Sequence, residues 1–209
     1  MLVNQYIDSF IANRERNHKR KPVYKLAKTR TERKRVDEKL EDTMGINSWS
    51  FISPTKGRLT KSKVVSEISG FVSEDPLSFY RLVIGTDSQT KSTNGKAEID
   101  YVTAIIVHRR GRGARYFWKK EKREKIPVLR DKIYMETTMS LEAAQEFVPL
   151  LRRAISPAKY DLEIHIDVGS LGPTREMIRE VVGMVTGNGF VAKTKPESWG
   201  ASSVADKHT

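Results

Sequence analysis

The chain contains no cysteine. That excludes a disulfide framework, a thiolate metal site and a cysteine nucleophile. Proline and glycine are sparse, at 8 and 13 of 209 residues, which excludes a collagen-like or Pro/Gly-rich low-complexity chain. No apolar run approaches the roughly 18 residues that span a bilayer. The start lacks an apolar stretch with a small-residue cleavage site, so a soluble cytoplasmic protein without a membrane partner is expected. Acids are scarce relative to bases: 26 Asp and Glu stand against 38 Lys and Arg, a formal net charge of +12. Such an excess favours polyanionic partners, nucleic acid first. Hydrophobic residues still make up 38% of the chain, so it can bury a core without staples.

Two regions differ in character. Residues 1–49 open with an amphipathic stripe (Leu2, Val3, Tyr6, Ile7, Phe10, Ile11). A charge-dense stretch follows, and residues 1–45 hold 12 basic and 7 acidic residues. This reads as a basic helical or disordered extension. Residues 50–209 read as one domain. Phe51 to Gly57 is a loop rich in turn residues. Thr60 can cap a helix whose apolar face is Val64/Val65, Ile68 and Phe71/Val72. Tyr80–Gly85, Tyr101–His108 and Ala114–Lys119 are β-rich runs joined by the Asn94-Gly95 and Gly111–Gly113 turns. A long helical period spans Val128 to Leu151. Strands at Leu162–Val168 and Phe190–Lys193 bracket a helix over Pro173–Gly183, and a short helix covers Ser202–Lys207. The order of the domain core is βββαβαβα.

Three acids occupy costly positions. Asp87 ends a buried apolar strand in Ile84-Gly-Thr-Asp-Ser88, where a charge needs compensation. Opening a turn is the plainer role for such an Asp. Asp167 sits in Ile164-His-Ile-Asp-Val-Gly169, and strand alternation sets it opposite Ile164 and Ile166. On the long helix, Leu129, Ile133, Ala143, Phe147 and Leu150 form one stripe that also includes Glu136 and Ser140, so Glu136 points inward. A buried pair with Lys or Arg would satisfy it, as would a metal. Hard carboxylate oxygens suit Mg²⁺ or Mn²⁺. Two such ions about 3.5–4 Å apart can clamp a phosphodiester.

Other features are less specific. Arg109 to Lys125 holds nine basic residues around Tyr116, Phe117 and Trp118. Arg109, Arg110, Arg112, Arg115, Lys119 and Lys120 are the candidates for phosphate contact, with aromatic rings available for stacking. Alternation along a third strand would instead send some rings to the core. Ser88 and Gln89 could orient a phosphate or cap a turn. His108 and His165 lack metal-ligand spacing, and Trp199 reads as packing. Asp167 to Thr174 leads into a helix N-terminus, a natural phosphate seat, but no Walker signature is present.

Residues 51–209 resemble the YkuK-type ribonuclease H-like family. The resemblance rests on Tyr80–Gln89, Val107–Gly113, Ile164–Gly169 and Lys195-Pro-Glu-Ser-Trp199 with Ala201-Ser-Ser203. It implies a ribonuclease H-like α/β fold: a five-stranded mixed sheet (βββαβαβα), flanking helices and the basic extension. It also implies Asp87, Glu136 and Asp167 as metal ligands from strand one, the first core helix and strand four. Asp206 on the last helix would be the fourth, with His208 and Glu197 as substitutes. The expected function is therefore a Mg²⁺- or Mn²⁺-dependent nuclease acting on RNA, DNA or a hybrid. The alternative is a nucleic-acid-binding module that keeps the fold without turnover.

Overall fold

The computed structural model describes residues 50–93, 96–124, 128–169 and 174–208. The N-terminal extension and the Asn94-Gly95 turn lie outside the described residues. A seven-stranded mixed sheet carries the domain. In chain order its elements are β1 (Phe51–Ser53), β2 (Gly57–Leu59), α1 (Lys61–Ser73), β3 (Tyr80–Thr93), β4 (Lys96–Arg109), β5 (Ala114–Arg123) and α2 (Leu129–Ile155). They continue with β6 (Tyr160–His165), a 3₁₀ turn at Arg175–Met177, α3 (Ile178–Gly187), β7 (Val191–Lys193) and α4 (Gly200–His208). The strand order is β2-β1-β5-β4-β3-β6-β7.

The five expected strands are all present, and two more extend the sheet. Phe51 to Gly57 is a small hairpin rather than a loop, with Ser53 opposite Gly57. Phe51 is fully buried and meets Phe147 of α2 edge to face at 5.2 Å, and that burial draws the segment into the sheet. Gly57 turns the chain at φ 69°, a conformation glycine adopts without a Cβ clash. β3 and β4 form a long antiparallel ladder from Tyr80↔Arg109 to Thr93↔Lys96. β6 stops at His165, short of the expected Val168. α3 runs from Ile178 to Gly187 behind its 3₁₀ turn, later than the expected helix.

Strand alternation separates two layers. Tyr80, Leu82, Ile84, Ile105, Val107, Phe117 and Ile164 face the buried stripes of α1, α2 and α3. Val83, Val102, Ala104, Ile106 and Trp118 face Val204 and Ala205 of α4. Helices thus cover both faces of one sheet, a common solution for mixed α/β sequences. Thr60 caps α1, its side chain accepting the Lys63 N–H. α2 buries Ile133, Glu136, Ser140, Ala143, Phe147 and Leu151 along one side.

α4 docks through a close backbone approach. The Gly200 N–H donates to His165 Nδ1 at 3.0 Å, and His165 Nε2 lies 3.1 Å from Glu163 Oε2. The first bond makes Nδ1 the acceptor, which leaves Nε2 to donate to Glu163. His165 is therefore a buried strut between sheet and helix. A Cβ on Gly200 would stand 2.6 Å from Val83 Cγ1 and 3.1 Å from both His165 Nδ1 and Ile106 Cδ1. Val83 is fully buried and branched at Cβ, so it yields poorly. Gly200→Ala is expected to cost about 2 kcal/mol by overpacking. Urea unfolding measures this, and an unchanged midpoint would show that α4 shifts freely.

Candidate functional site

β3, β6 and β7 run parallel to one another, and their ladders end on the common row Gly85–His165–Lys193. Two residues beyond that row on each chain segment stand Asp87, Asp167 and Lys195. Backbone pairing of the β6 and β7 segments continues past the formal strands with a two-residue slip, because the Val168 N–H turns back onto the Ile166 carbonyl. The Ile166 N–H donates to the Lys193 carbonyl at 2.9 Å, and the Lys195 N–H to the Val168 carbonyl at 2.8 Å. The carboxyl ends of parallel strands are where open α/β sheets place their ligands. Here the row meets the first turns of α2, and a pocket of about 280 Å³ forms. Asp87, Asp167 and Lys195 line it together with Leu129, Lys132, Ile133 and Glu136 of α2, and with Gly169 and Thr174.

Each carboxylate has a partner in the protein. The Asp87 Oδ1 accepts the Ser88 N–H at 2.7 Å. Glu136, only 4% exposed, accepts the Ser88 hydroxyl at 2.6 Å and lies 3.7 Å from Lys132 Nζ. Asp167 Oδ1 lies 2.9 Å from Lys195 Nζ. These partners do not fully offset desolvation. Burial pushes the Glu136 carboxyl up to about 7, with Asp87 and Asp167 adding to the rise against the opposing Ser88 bond and Lys132. Asp87 is raised too, first by burial and then by Asp167. Lys195 is raised by its bond to Asp167, which favours its charged form.

The other candidates lie elsewhere. Asp206 is exposed on α4 and outside the pocket lining, although its charge contributes to raising Asp87. Glu197 pairs with Lys193 at 3.0 Å. His208 stacks on Trp118 with ring centroids 3.6 Å apart, and burial lowers its pKa first, then Lys120 and Lys207. Neither residue lines the pocket.

The basic strip divides. Arg109 is buried: its guanidinium lies 4.3 Å from the Phe71 ring centroid and donates to the Phe71 carbonyl and Glu74. Arg115 joins Glu74 and Arg112 joins Asp75. These three tie the β4–β5 end to the C-terminal end of α1. Arg109 pairs with Tyr80, seven residues and about 23 Å along β3 from Asp87. Arg110 is exposed at that same far end. Lys119 is buried and lies 2.6 Å from Glu121. Lys120 is exposed, 3.4 Å from Asp100, and pairs with Val102, which itself pairs with Asp87. Of the aromatics, Phe117 packs toward α1 and α2, whereas Tyr116 and Trp118 pack toward α4.

Sequence reasoning missed Lys132 and Lys195, and reached Thr174 only as the end of the segment leading into a helix. Lys132 had a signal: it precedes the inward Glu136 by one helical turn. Lys195 had a fainter one, following the last strand by the same two residues that separate Asp167 from His165.

The mixed sheet with helices on both faces is that of a ribonuclease H-like protein. The sequence profile of the family described as Ribonuclease H-like matches residues 63–209, and the chain belongs to that family in its YkuK-type form. It is 34% identical over 173 residues to the "Uncharacterized protein YkuK" of Bacillus subtilis (strain 168), covering 78% of this chain and 98% of that relative. No solved structure matches significantly. Membership suggests a nuclease-type or nucleic-acid-related function. No helix among the described residues is long and apolar enough to cross a membrane.

Proposed function

We propose that this protein is a divalent-metal-dependent nuclease that hydrolyses phosphodiester bonds in RNA, DNA or their hybrid. One observation carries the reading: carboxylates from β3, α2 and the segment after β6 line one pocket, and the most buried of them is held near neutrality by desolvation. A carboxylate so placed is stabilised by an incoming hard cation. The donor set is all oxygen and suits Mg²⁺ or Mn²⁺.

Asp87, Glu136 and Asp167 would hold the metal, and Asp206 on α4, outside the pocket lining, would add its charge. When bound, the ion would polarise a phosphoryl oxygen and acidify a water. Ser88 orients Glu136 by its hydroxyl. Lys132 and Lys195 place two ammonium groups at the pocket wall, where they attract a phosphodiester. Lys120, on the α4 side of the sheet, would extend that attraction along a strand, with Arg110 too distant to share it.

A second reading has its own support. Among the described residues, no three His, Cys, Asp or Glu side chains form a group ready to hold a metal. A nucleic-acid-binding module without turnover fits that spacing. The deciding experiment uses labelled single strands, duplexes and hybrids, with Mn²⁺ or Mg²⁺ against chelator. The nuclease reading expects cleavage that needs the metal and disappears in Asp167→Asn. Salt-sensitive binding that ignores the metal and never yields product would establish the binding module.

A further inference from the structure

We propose that Lys195 is a built-in cation of the pocket, taking the place of a second metal ion, so that the site binds one divalent ion. The inference rests on the metal-dependent reading above and specifies its stoichiometry.

Beyond the parallel ladders Asp87, Asp167 and Lys195 line one pocket. An ammonium group stands beside Asp167 where a further carboxylate could have stood. Its position is fixed by the backbone: the Lys195 N–H bonds to Val168 at 2.8 Å, and the preceding Lys193 carbonyl accepts from Ile166 at 2.9 Å. The side chain then puts Nζ 2.9 Å from Asp167 Oδ1. A pair of catalytic ions about 3.5–4 Å apart depends on carboxylates free to ligate both. Asp167 lines the pocket with Asp87 and is close enough to raise it, so it is the natural acid to share between two ions, and Lys195 engages it.

Charge balance agrees. Three carboxylates and two ammonium groups line the pocket, an excess of one negative charge if all are ionised. One divalent ion turns this to a single positive charge, matched to one phosphodiester. Two ions would leave three positive charges in a half-enclosed site, which is costly at low dielectric. Counting the exposed Asp206 still leaves only two negative charges, which one divalent ion balances. Lys132 adds to the balance from α2, yet it lies 3.7 Å from Glu136, a looser pairing than that of Lys195. The Lys195 side chain is 55% exposed, so its replacement leaves the core untouched.

The test is Mn²⁺ titration of the full chain by calorimetry, with the electron paramagnetic resonance of bound Mn²⁺ as a second readout. Wild type should bind one ion with an uncoupled spectrum. Lys195→Ala should bind two, with dipolar broadening from neighbouring spins, or bind the first at least about tenfold more tightly. Lys195→Arg should restore wild-type behaviour, and circular dichroism should show all three folded. Two ions in wild type would overturn the proposal while leaving metal dependence intact, as would Lys195→Ala with one ion at unchanged affinity. No Mn²⁺ binding by wild type or Lys195→Ala would overturn both the proposal and the metal-dependent reading.

Discussion

Replacing Asp87 by Asn should reduce metal-dependent cleavage by about 10³-fold or more, equivalent to roughly 4 kcal/mol of lost transition-state stabilisation. Asparagine keeps the shape, and its carbonyl oxygen can still accept the Ser88 N–H that Asp87 accepts at 2.7 Å. What disappears is one negative charge and one anionic ligand oxygen in the pocket. Removing a charge that burial and Asp167 already disfavour should not destabilise the fold. Binding of a non-cleavable strand should stay within about threefold, because phosphate affinity comes from cations. Single-turnover cleavage and filter binding of the same preparations measure both quantities. Cleavage within tenfold of wild type would remove Asp87 from the centre.

The second large effect concerns stability. Glu136→Gln should stabilise the metal-free protein by about 3 kcal/mol at pH 8 and by almost nothing at pH 4. Burial raises the folded Glu136 carboxyl to about 7 from an ordinary 4.5. Between those values the folded state keeps a proton that the unfolded chain has released. Wild-type stability therefore falls as pH rises from about 4.5 through 7, and it levels off once the folded group is also ionised. Glutamine cannot titrate, so this contribution to the decline vanishes. It can still accept the Ser88 hydroxyl bond. Urea unfolding in chelator across pH 4–8 gives the two curves. Parallel curves would show that Glu136 is solvated well enough to ionise normally. The stabilisation should come with loss of cleavage, since the strained anion is the proposed metal ligand.

Several local features were legible from residue order. Thr60 followed by apolar residues at helical spacing produced a capped α1. Runs rich in β-branched residues marked β3 and β4, and an aromatic run marked β5. The seven-residue spacing Leu129–Glu136–Ala143 placed Glu136 on the inward side of α2, where it is buried. Short-range signals are reliable here because capping, alternation and helical period act over a few residues. The β1–β2 hairpin was not legible. Its three-residue strands carry too little pattern, and it forms because Phe51 finds Phe147 nearly a hundred residues away.

The basic strip shows the same divide at the level of function. Nine positive charges in a row look like a phosphate track, but sequence cannot show which are already neutralised. Glu74 and Asp75 at the end of α1 claim Arg109, Arg112 and Arg115, and only folding brings those acids to the β4–β5 turn. Residue order carried the α/β domain, the order of its core elements and the inward placing of Glu136, whereas Asp87, expected at a strand end, lies inside β3, which runs on to Thr93. Tertiary packing set where the parallel ladders of β3, β6 and β7 stop, brought Lys195 to Asp167, and brought Ser88 and Lys132 to Glu136. The reason is range: hydrogen bonding along the chain is encoded within a turn or a strand, whereas charge compensation depends on which strands become neighbours.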